Sequence, residues 1–369
     1  MLEIKCKNNT DVPKIMVIGV GGGGNNALDR MISSCSSSVE YVAVNTDIQV
    51  LNASKAETKI QIGQKLTKGY GAGADPNIGE AATIESEEEI KSVIEGADMC
   101  IITCGMGGGT GTGAAPVIAK CCKDAGILTI GIVTMPFSFE NTPRISAAEN
   151  GLEKLKANVD TLLVISNDKL IGLSEKPLLL EDAFEMADSV LKETIEGITN
   201  IVCNLGVVNL DFNDLSTTLK NKGIGHLGIG IVDVDASVLE AVKQAVNSPL
   251  LETSIEGAEN ILINTSGKVN IVSLNEAIGY VRELAGSKVN IIWGTVTQEN
   301  YDADKIVVTL IATGMNKEKA DEKNSQIVFK GALEGMRKVP ELKPLMPKTE
   351  IGIDIPTFIL EASKRSRRK

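Results

Sequence analysis

Gly105-Met106-Gly107-Gly108-Gly109-Thr110-Gly111-Thr112-Gly113 decides the reading of this 369-residue chain. The stretch lies between an aliphatic run at 99–104 and a helix-period segment at 114–125, with Pro116 in the first turn of that helix. Ordering so many glycines is costly, about 0.5–1 kcal/mol each relative to alanine. A tight strand-to-helix turn needs one or two of them. The remainder points to a ligand that must approach the backbone closely, and exposed N–H groups at a helix N-terminus favour an anion. The phosphates of a nucleoside triphosphate fit best.

A second glycine loop, Gly19-Val20-Gly21-Gly22-Gly23-Gly24-Asn25-Asn26, also follows a strand and opens a helix. It satisfies G-x-G-x-x-G, and Asp47 follows about 20 residues on, so an NAD-dependent dehydrogenase is the rival from another enzyme class. That rival has no use for the loop at 105–113. Neither loop contains G-x-x-x-x-G-K-[ST]. Phosphate charge must therefore be met by backbone N–H groups, threonine hydroxyls and a metal ion.

Outward from these loops, short apolar runs at 15–20, 41–44, 99–104, 128–134 and 161–165 alternate with helical stretches at 26–33, 85–95, 114–125 and 146–157. This is the pattern of a parallel α/β sheet. Pro177 opens a long helix over 178–202, with Leu180, Ala183, Phe184, Ala187, Leu191, Ile195 and Ile198 on one stripe. Beyond it, strand-like runs at 228–234, 260–264, 290–296 and 305–312, with helices at 236–246 and 274–285, indicate a smaller α+β domain. The expected organisation is an N-terminal extension (1–13), a nucleotide-binding domain (14–176), a central helix (177–202), a catalytic loop and helix (203–222), the α+β domain (223–315), a flexible linker (316–350) with a weak helix at 327–336, and a terminal peptide with a basic tail (351–369).

Net charge of −11 and a pI near 4.9 argue against nucleic acid as a partner. The basic tail Lys364-Arg365-Ser366-Arg367-Arg368-Lys369 reads as a solvated terminus or as a weak contact for anionic lipid. The seven cysteines form no C-x-x-C pair and no metal-ligand spacing with His226, the single histidine, which suits a reduced cytosol. No signal peptide and no apolar run of membrane-spanning length is present, so a soluble cytoplasmic protein is expected.

The loop at 105–113 is close to the tubulin signature. Together with Ala43-Val44-Asn45-Thr46-Asp47, Gly71-Ala72-Gly73-Ala74-Asp75-Pro76, Pro136-Phe137-Ser138-Phe139-Glu140 and Asn209-Leu210-Asp211-Phe212-Asn213-Asp214, it resembles the FtsZ family of bacterial, tubulin-like cell-division GTPases, in order from about 14 to 314. The resemblance implies a Rossmann-like GTPase domain with a long central helix and a second α+β domain. It implies phosphate contacts at Gly22, Gly23, Gly24, Asn25, Asn26, Ala72, Gly73, Ala74, Gly107, Gly108, Gly109, Thr110, Gly111 and Thr112. Glu140 and Arg144 would meet the ribose and its neighbours, and Asn167 the base.

Phe184 and Asp188 fall one helical turn apart on one face, so a ring could stack on a base while a carboxylate accepts from guanine. Phe184 alone reads equally as a core aromatic. Asp211 and Asp214, three apart at a helix start, could face one point or cap that helix. In the family this loop, with Asn209, enters the next subunit's pocket and orients water and a cation against the γ-phosphate. GTP and GDP with Mg²⁺, the ion held mainly by phosphates, a head-to-tail homopolymer and a mid-cell ring follow as implications. The segment 352–360, with Asp354, Ile355, Pro356 and Phe358, resembles the family's peptide for membrane adaptors and division regulators. Asn25 stands where a glycine is common, a pairing shared with plastid and cyanobacterial members, Asn141-Thr142-Pro143 replaces a glycine-and-basic stretch, and Trp293 replaces a usual Phe. A scaffold that binds nucleotide without hydrolysis is the remaining alternative, and the aspartate pair argues against it.

Overall fold

The computed structural model describes residues 13–32, 39–171, 179–203, 211–248, 250–251, 254–267, 269–296 and 305–315. All of them belong to one compact unit that ends at Asp321. Asn209, the linker, the terminal peptide and the basic tail lie outside the described residues.

In the first half, β1 (Ile15–Val20), β2 (Val39–Asn45), β3 (Thr58–Gln61), β4 (Met99–Gly105), β5 (Leu128–Met135) and β6 (Thr161–Ser166) form a parallel sheet. Its helices are α1 (Gly21–Ile32), α2 (Ile48–Ala53), α3 (Gln64–Thr67), α4 (Pro76–Glu85), α5 (Glu87–Ile94), α6 (Thr110–Asp124), α7 (Thr142–Asn158) and α8 (Asn167–Ile171). The sheet is buried on both faces, which is why its strands are continuously apolar rather than alternating. Ile15 and Val17 enter one core with Leu163 and Ile195, while Met16, Ile18 and Val20 enter another with Ile118 and Cys122.

The long helix α9 (Leu180–Cys203) follows, then α10 (Phe212–Leu219), β7 (Gly223–Asp233), α11 (Val238–Val246), β8 (Asn260–Ser266), α12 (Ile271–Ala285), β9 (Asn290–Val296) and β10 (Lys305–Thr313). The α+β part is joined to the first sheet by one strand. The opening residues of β7 pair in parallel with β6, Thr161 opposite Gly223, and its remainder pairs antiparallel with β10, Asp233 opposite Lys305. One ten-stranded sheet results, in the order β3-β2-β1-β4-β5-β6-β7-β10-β8-β9.

α9 fills the angle between the two parts. Ala187, Leu191, Ile195 and Ile198 share a core with Leu163 of the parallel sheet and with Leu262, Ile292 and Ile311 of the later strands. A Cβ on Gly197 would lie 3.0–3.2 Å from Thr309, so helix and strand approach closely there. The opposite face of the later strands is covered by α11 and α12 through Val242, Ala277 and Val281.

Several boundaries differ from the sequence expectation: α1 opens at Gly21 rather than 26, α7 at Thr142 rather than 146, and β7 at Gly223 rather than 228. The helix expected at 85–95 is α5, Glu87–Ile94, and an unexpected helix, α4, precedes it with Ser86 between the two. α4 has no long apolar stripe because it meets α6 through small residues: a Cβ on Gly79 would sit 2.3 Å from the Gly109 carbonyl oxygen. β3 is short and buries Ile60 alone, so it leaves no period to read.

Candidate functional site

Both glycine loops follow the carboxyl ends of adjacent strands. β1 ends at Val20 and β4 at Gly105, and the strand order reverses between them. That crevice is where open α/β sheets bind ligands. α1 and α6 start there, with their first N–H groups directed to one place.

Most of the glycines answer to the protein rather than to a ligand, which corrects the inference from glycine number. Gly107 has φ +90, and a Cβ there would strike Arg144. Gly109 packs on Ala72 and the Asp75 amide, Gly111 on the Gly105 carbonyl, and Gly113 on the Pro76 carbonyl, where a Cβ would lie 2.0 Å away. Gly21, at φ +70, meets Gly111 across the two loops, and Gly24 meets the Thr103 carbonyl. Gly22 and Gly108 are different: neither has a positive φ, and a Cβ on either would meet nothing within 4 Å. One open glycine in each loop is the feature that internal packing does not require.

The polar side chains of the loops mostly brace them. Asn25 is buried; its amide donates to the Gly19 carbonyl at 2.8 Å and its Oδ1 accepts from Asn45 at 2.8 Å. The Asn25 side chain is thus spent inside the protein. Thr112 Oγ1 accepts from the Gly107 N–H at 2.8 Å, also inside the protein. The Thr110 hydroxyl, half-buried, is paired with that of Thr46 at 2.7 Å. Asn26 and the backbone of Gly22 and Gly23 are exposed, and Asn26 lines an open hollow of about 540 Å³ with Asp29, Arg30 and Lys55. Ala72 is buried against Gly109, whereas Gly73 and Ala74 are exposed with left-handed backbones, φ +60 and +61. Asp47, the acid on which a dehydrogenase reading depends, caps α2 by accepting from the Gln49 N–H at 2.8 Å.

A second group lies at the start of α9. Phe184 remains 39% exposed although it shares the apolar stripe of the helix, and its ring meets buried Phe137 edge-on at 5.3 Å. An aromatic held on one edge and exposed elsewhere has the form a stacking platform needs. Asp188 pairs with Arg30, Oδ2 to Nε at 3.3 Å, and burial pushes its pKa up to about 6. Asn167 is buried, and its Oδ1 has no hydrogen-bond partner. A buried acceptor without a donor is an unfilled requirement. Glu140 accepts from the Phe137 N–H at 2.9 Å and from Arg144 Nε at 3.0 Å, which fixes both side chains beside Gly107.

The aspartate pair stands elsewhere. Asp211 is the N-cap of α10 and accepts from the Asp214 N–H at 2.8 Å, so the capping role is realised for Asp211. Both carboxylates are exposed. The last turn of α10 is tied to the sheet, with the Leu219 carbonyl accepting from Thr161, which opens β6, and the Thr218 carbonyl from Thr313, which closes the antiparallel β10. Thr161 stands at the amino end of the parallel sheet, one strand's length, about 20 Å, from its carboxyl end. Among the described residues no hydrogen bond or ion pair joins Asp211 or Asp214 to those loops.

Arg30, Asn45 and Thr46 were not among the assigned contacts. Asn45 and Thr46 stand in a quoted motif, but nothing in the pattern indicates that they brace the loops. Arg30 carries no motif at all.

Residues 14–175 match the GTPase domain of the Tubulin/FtsZ family, and residues 223–316 match the C-terminal domain of the FtsZ family. A solved FtsZ dimer from M. jannaschii, in its empty form, is 42% identical with a TM-score of 0.79, covering 82% of this chain and 88% of that one. CetZ1 from Haloferax volcanii, a GDP-bound monomer, is 23% identical with a TM-score of 0.72 over 86% of this chain and 99% of that one. CetZ2 from the same organism, a GTPγS-bound protofilament, is 20% identical with a TM-score of 0.70 over 88% and 99%.

Proposed function

The chain belongs to the FtsZ family, and with its Tubulin/FtsZ GTPase domain as the premise, we propose that it hydrolyses GTP at the contact between two copies of itself. The observation that carries the reading is the separation of the two halves of the chemistry. The glycine crevice lies at the carboxyl ends of the parallel strands, and the exposed Asp211–Asp214 pair belongs to a helix anchored at their amino ends. A second copy stacked head to tail brings one to the other, and a heterologous contact that does not close gives a filament. The protofilament form of CetZ2 is in keeping with such stacking.

In this reading Gly22 and Gly108 admit the phosphates to the N–H groups of α1 and α6. Gly23, Gly24, Gly107, Gly109, Gly111 and the 72–74 turn hold those loops in place, and Thr110 offers its hydroxyl. Phe184 stacks on the base, Asn167 Oδ1 and Asp188 accept from it, and Glu140 with Arg144 faces the ribose. The donors at the loops are N–H groups and hydroxyls rather than carboxylates, which suits magnesium carried on phosphate oxygens. The ion would supply charge neutralisation. Asp211, Asp214 and Asn209 of the neighbouring copy then orient water in line with the γ-phosphorus. A part supplied in trans is worth about 10³ to 10⁵ in rate, or roughly 4–7 kcal/mol of barrier.

The same reading extends to a cytoplasmic ring at a division site, with the segment around Asp354, Ile355, Pro356 and Phe358 binding a membrane adaptor. The basic tail adds a weak contact with anionic lipid. The resemblance implies a bacterial cell for this ring, and the 42%-identical relative from M. jannaschii extends the proposal to an archaeal one. Phosphate release from GTP, measured across protein concentration, tests the central claim. Activity per molecule should rise with concentration; a flat profile would sink hydrolysis in trans, and none at all would favour a scaffold.

A further inference from the structure

Arg30 ties the phosphate end of the site to the base end. α1 opens with the loop Gly21–Gly24 and carries Arg30 on its last turn, about 14 Å along the helix. There Nη1 lies 2.8 Å from Glu185 and Nε 3.3 Å from Asp188, both on α9. The Arg30 fork thus spans two carboxylates one turn apart, and the Asp188 side chain is largely buried in that contact.

Burial disfavours a charge on Asp188, and Glu185 disfavours it further; of the groups acting on this carboxylate, Arg30 alone favours its ionised form. α8, also packed on α9, carries Lys169 and Asp168, the latter accepting from the Ser138 N–H, and neither is among those groups. Guanine presents donors at N1 and its 2-amino group, which a carboxylate can accept. A protonated acid would set its own hydrogen against them. A base in the pocket also removes more water from Asp188, which pushes toward the neutral acid.

Resting on the reading of Asp188 as a guanine contact, we propose that Arg30 is a positioning and specificity residue for the nucleotide: it aims the Asp188 carboxylate at the base and keeps it an acceptor. The sign follows from the burial of Asp188. Its acceptor state is full above its pKa and is lost as pH falls through it, so the preference for GTP over ATP should fade in acid. Without the guanidinium the pKa rises and the loss begins nearer neutrality. Without Glu185 it falls.

The test is the ratio of GTP to ATP affinity, measured by calorimetry on the full chain from pH 5.5 to 8.5. Phosphate titration is common to both nucleotides and cancels in the ratio. The unaltered protein should lose preference below about pH 6. Arg30→Gln should lose it with a midpoint about one unit higher, roughly a threefold smaller ratio at pH 6.5, yet match the unaltered protein at pH 8.5. Arg30→Lys should recover most of the shift, and Glu185→Gln should move the midpoint down. A ratio in Arg30→Gln that is reduced equally at every pH, with an unmoved midpoint, would overturn the proposal and leave Arg30 a packing residue. Asp188→Asn separates the premise: it should abolish the pH dependence. If it keeps both the ratio and the pH profile, the assignment of Asp188 fails, and that of Arg30 with it.

Discussion

The crevice around Gly109 and the start of α10 carry the two halves of one proposed reaction, yet they are built in opposite ways. At the crevice three chain segments lock together through positions where no Cβ fits: Gly21 on Gly111, Gly109 on Ala72, Gly113 on Pro76. At α10 a single cap bond, from the Asp214 N–H to the Asp211 carboxylate, orders one of the two exposed carboxylates. A site that must hold a ligand within one chain is over-determined by its own packing. A site whose other half lies on another copy must stay exposed until the copies meet.

The largest effect expected from that contrast is on turnover. Asparagine caps a helix about as well as aspartate, so Asp211→Asn should leave α10 folded while GTP turnover falls at least about 100-fold. Nucleotide affinity should change less than about threefold; an equal loss of both would mean that Asp211 serves its own chain. Polymer followed by light scattering should persist longer in GTP than that of the unaltered protein.

The crevice is predicted to respond in the reverse manner. Gly113→Ala drives a methyl group into the Pro76 carbonyl and should lower unfolding stability in urea by about 1–3 kcal/mol. Gly108→Ala meets no protein atom, so stability should move within about 0.5 kcal/mol. GTP affinity should nevertheless fall about tenfold, some 1.4 kcal/mol. If Gly108→Ala binds GTP normally, the open glycine is not the phosphate approach. The smallest effect belongs to Ala74, whose backbone is left-handed at φ +61. Ala74→Gly should raise the urea midpoint slightly, by about 0.5 kcal/mol of stability, because glycine adopts that conformation without Cβ strain.

Much of this was legible in the chain. The apolar runs at β1, β4 and β5 are long and buried on both faces, so their pattern survives without tertiary information. The loops declare themselves by glycine, and the aspartate pair by spacing. What could not be read is what each glycine is for: Gly107 and Gly108 are adjacent and identical, and one is bound by a neighbouring arginine while the other faces open space. α4 escaped because it packs through Gly79 and Ala82 rather than through a stripe of large residues. Arg30 escaped because its partners, Glu185 and Asp188, are more than 150 residues away.

By itself, then, the sequence determined the α/β alternation, the two glycine loops, the one-turn spacing of Phe184 and Asp188 on α9 and the paired aspartates, all set by short-range chemistry within a turn or a strand. Tertiary structure decided which glycines brace and which face open space, that Asn25 and Thr112 face inward, that Arg30 grips Asp188, and that the last turn of α10 is anchored at the end of the parallel strands away from the crevice. Those are distances between segments remote in sequence, and only the packing of the sheet and of α9 sets them.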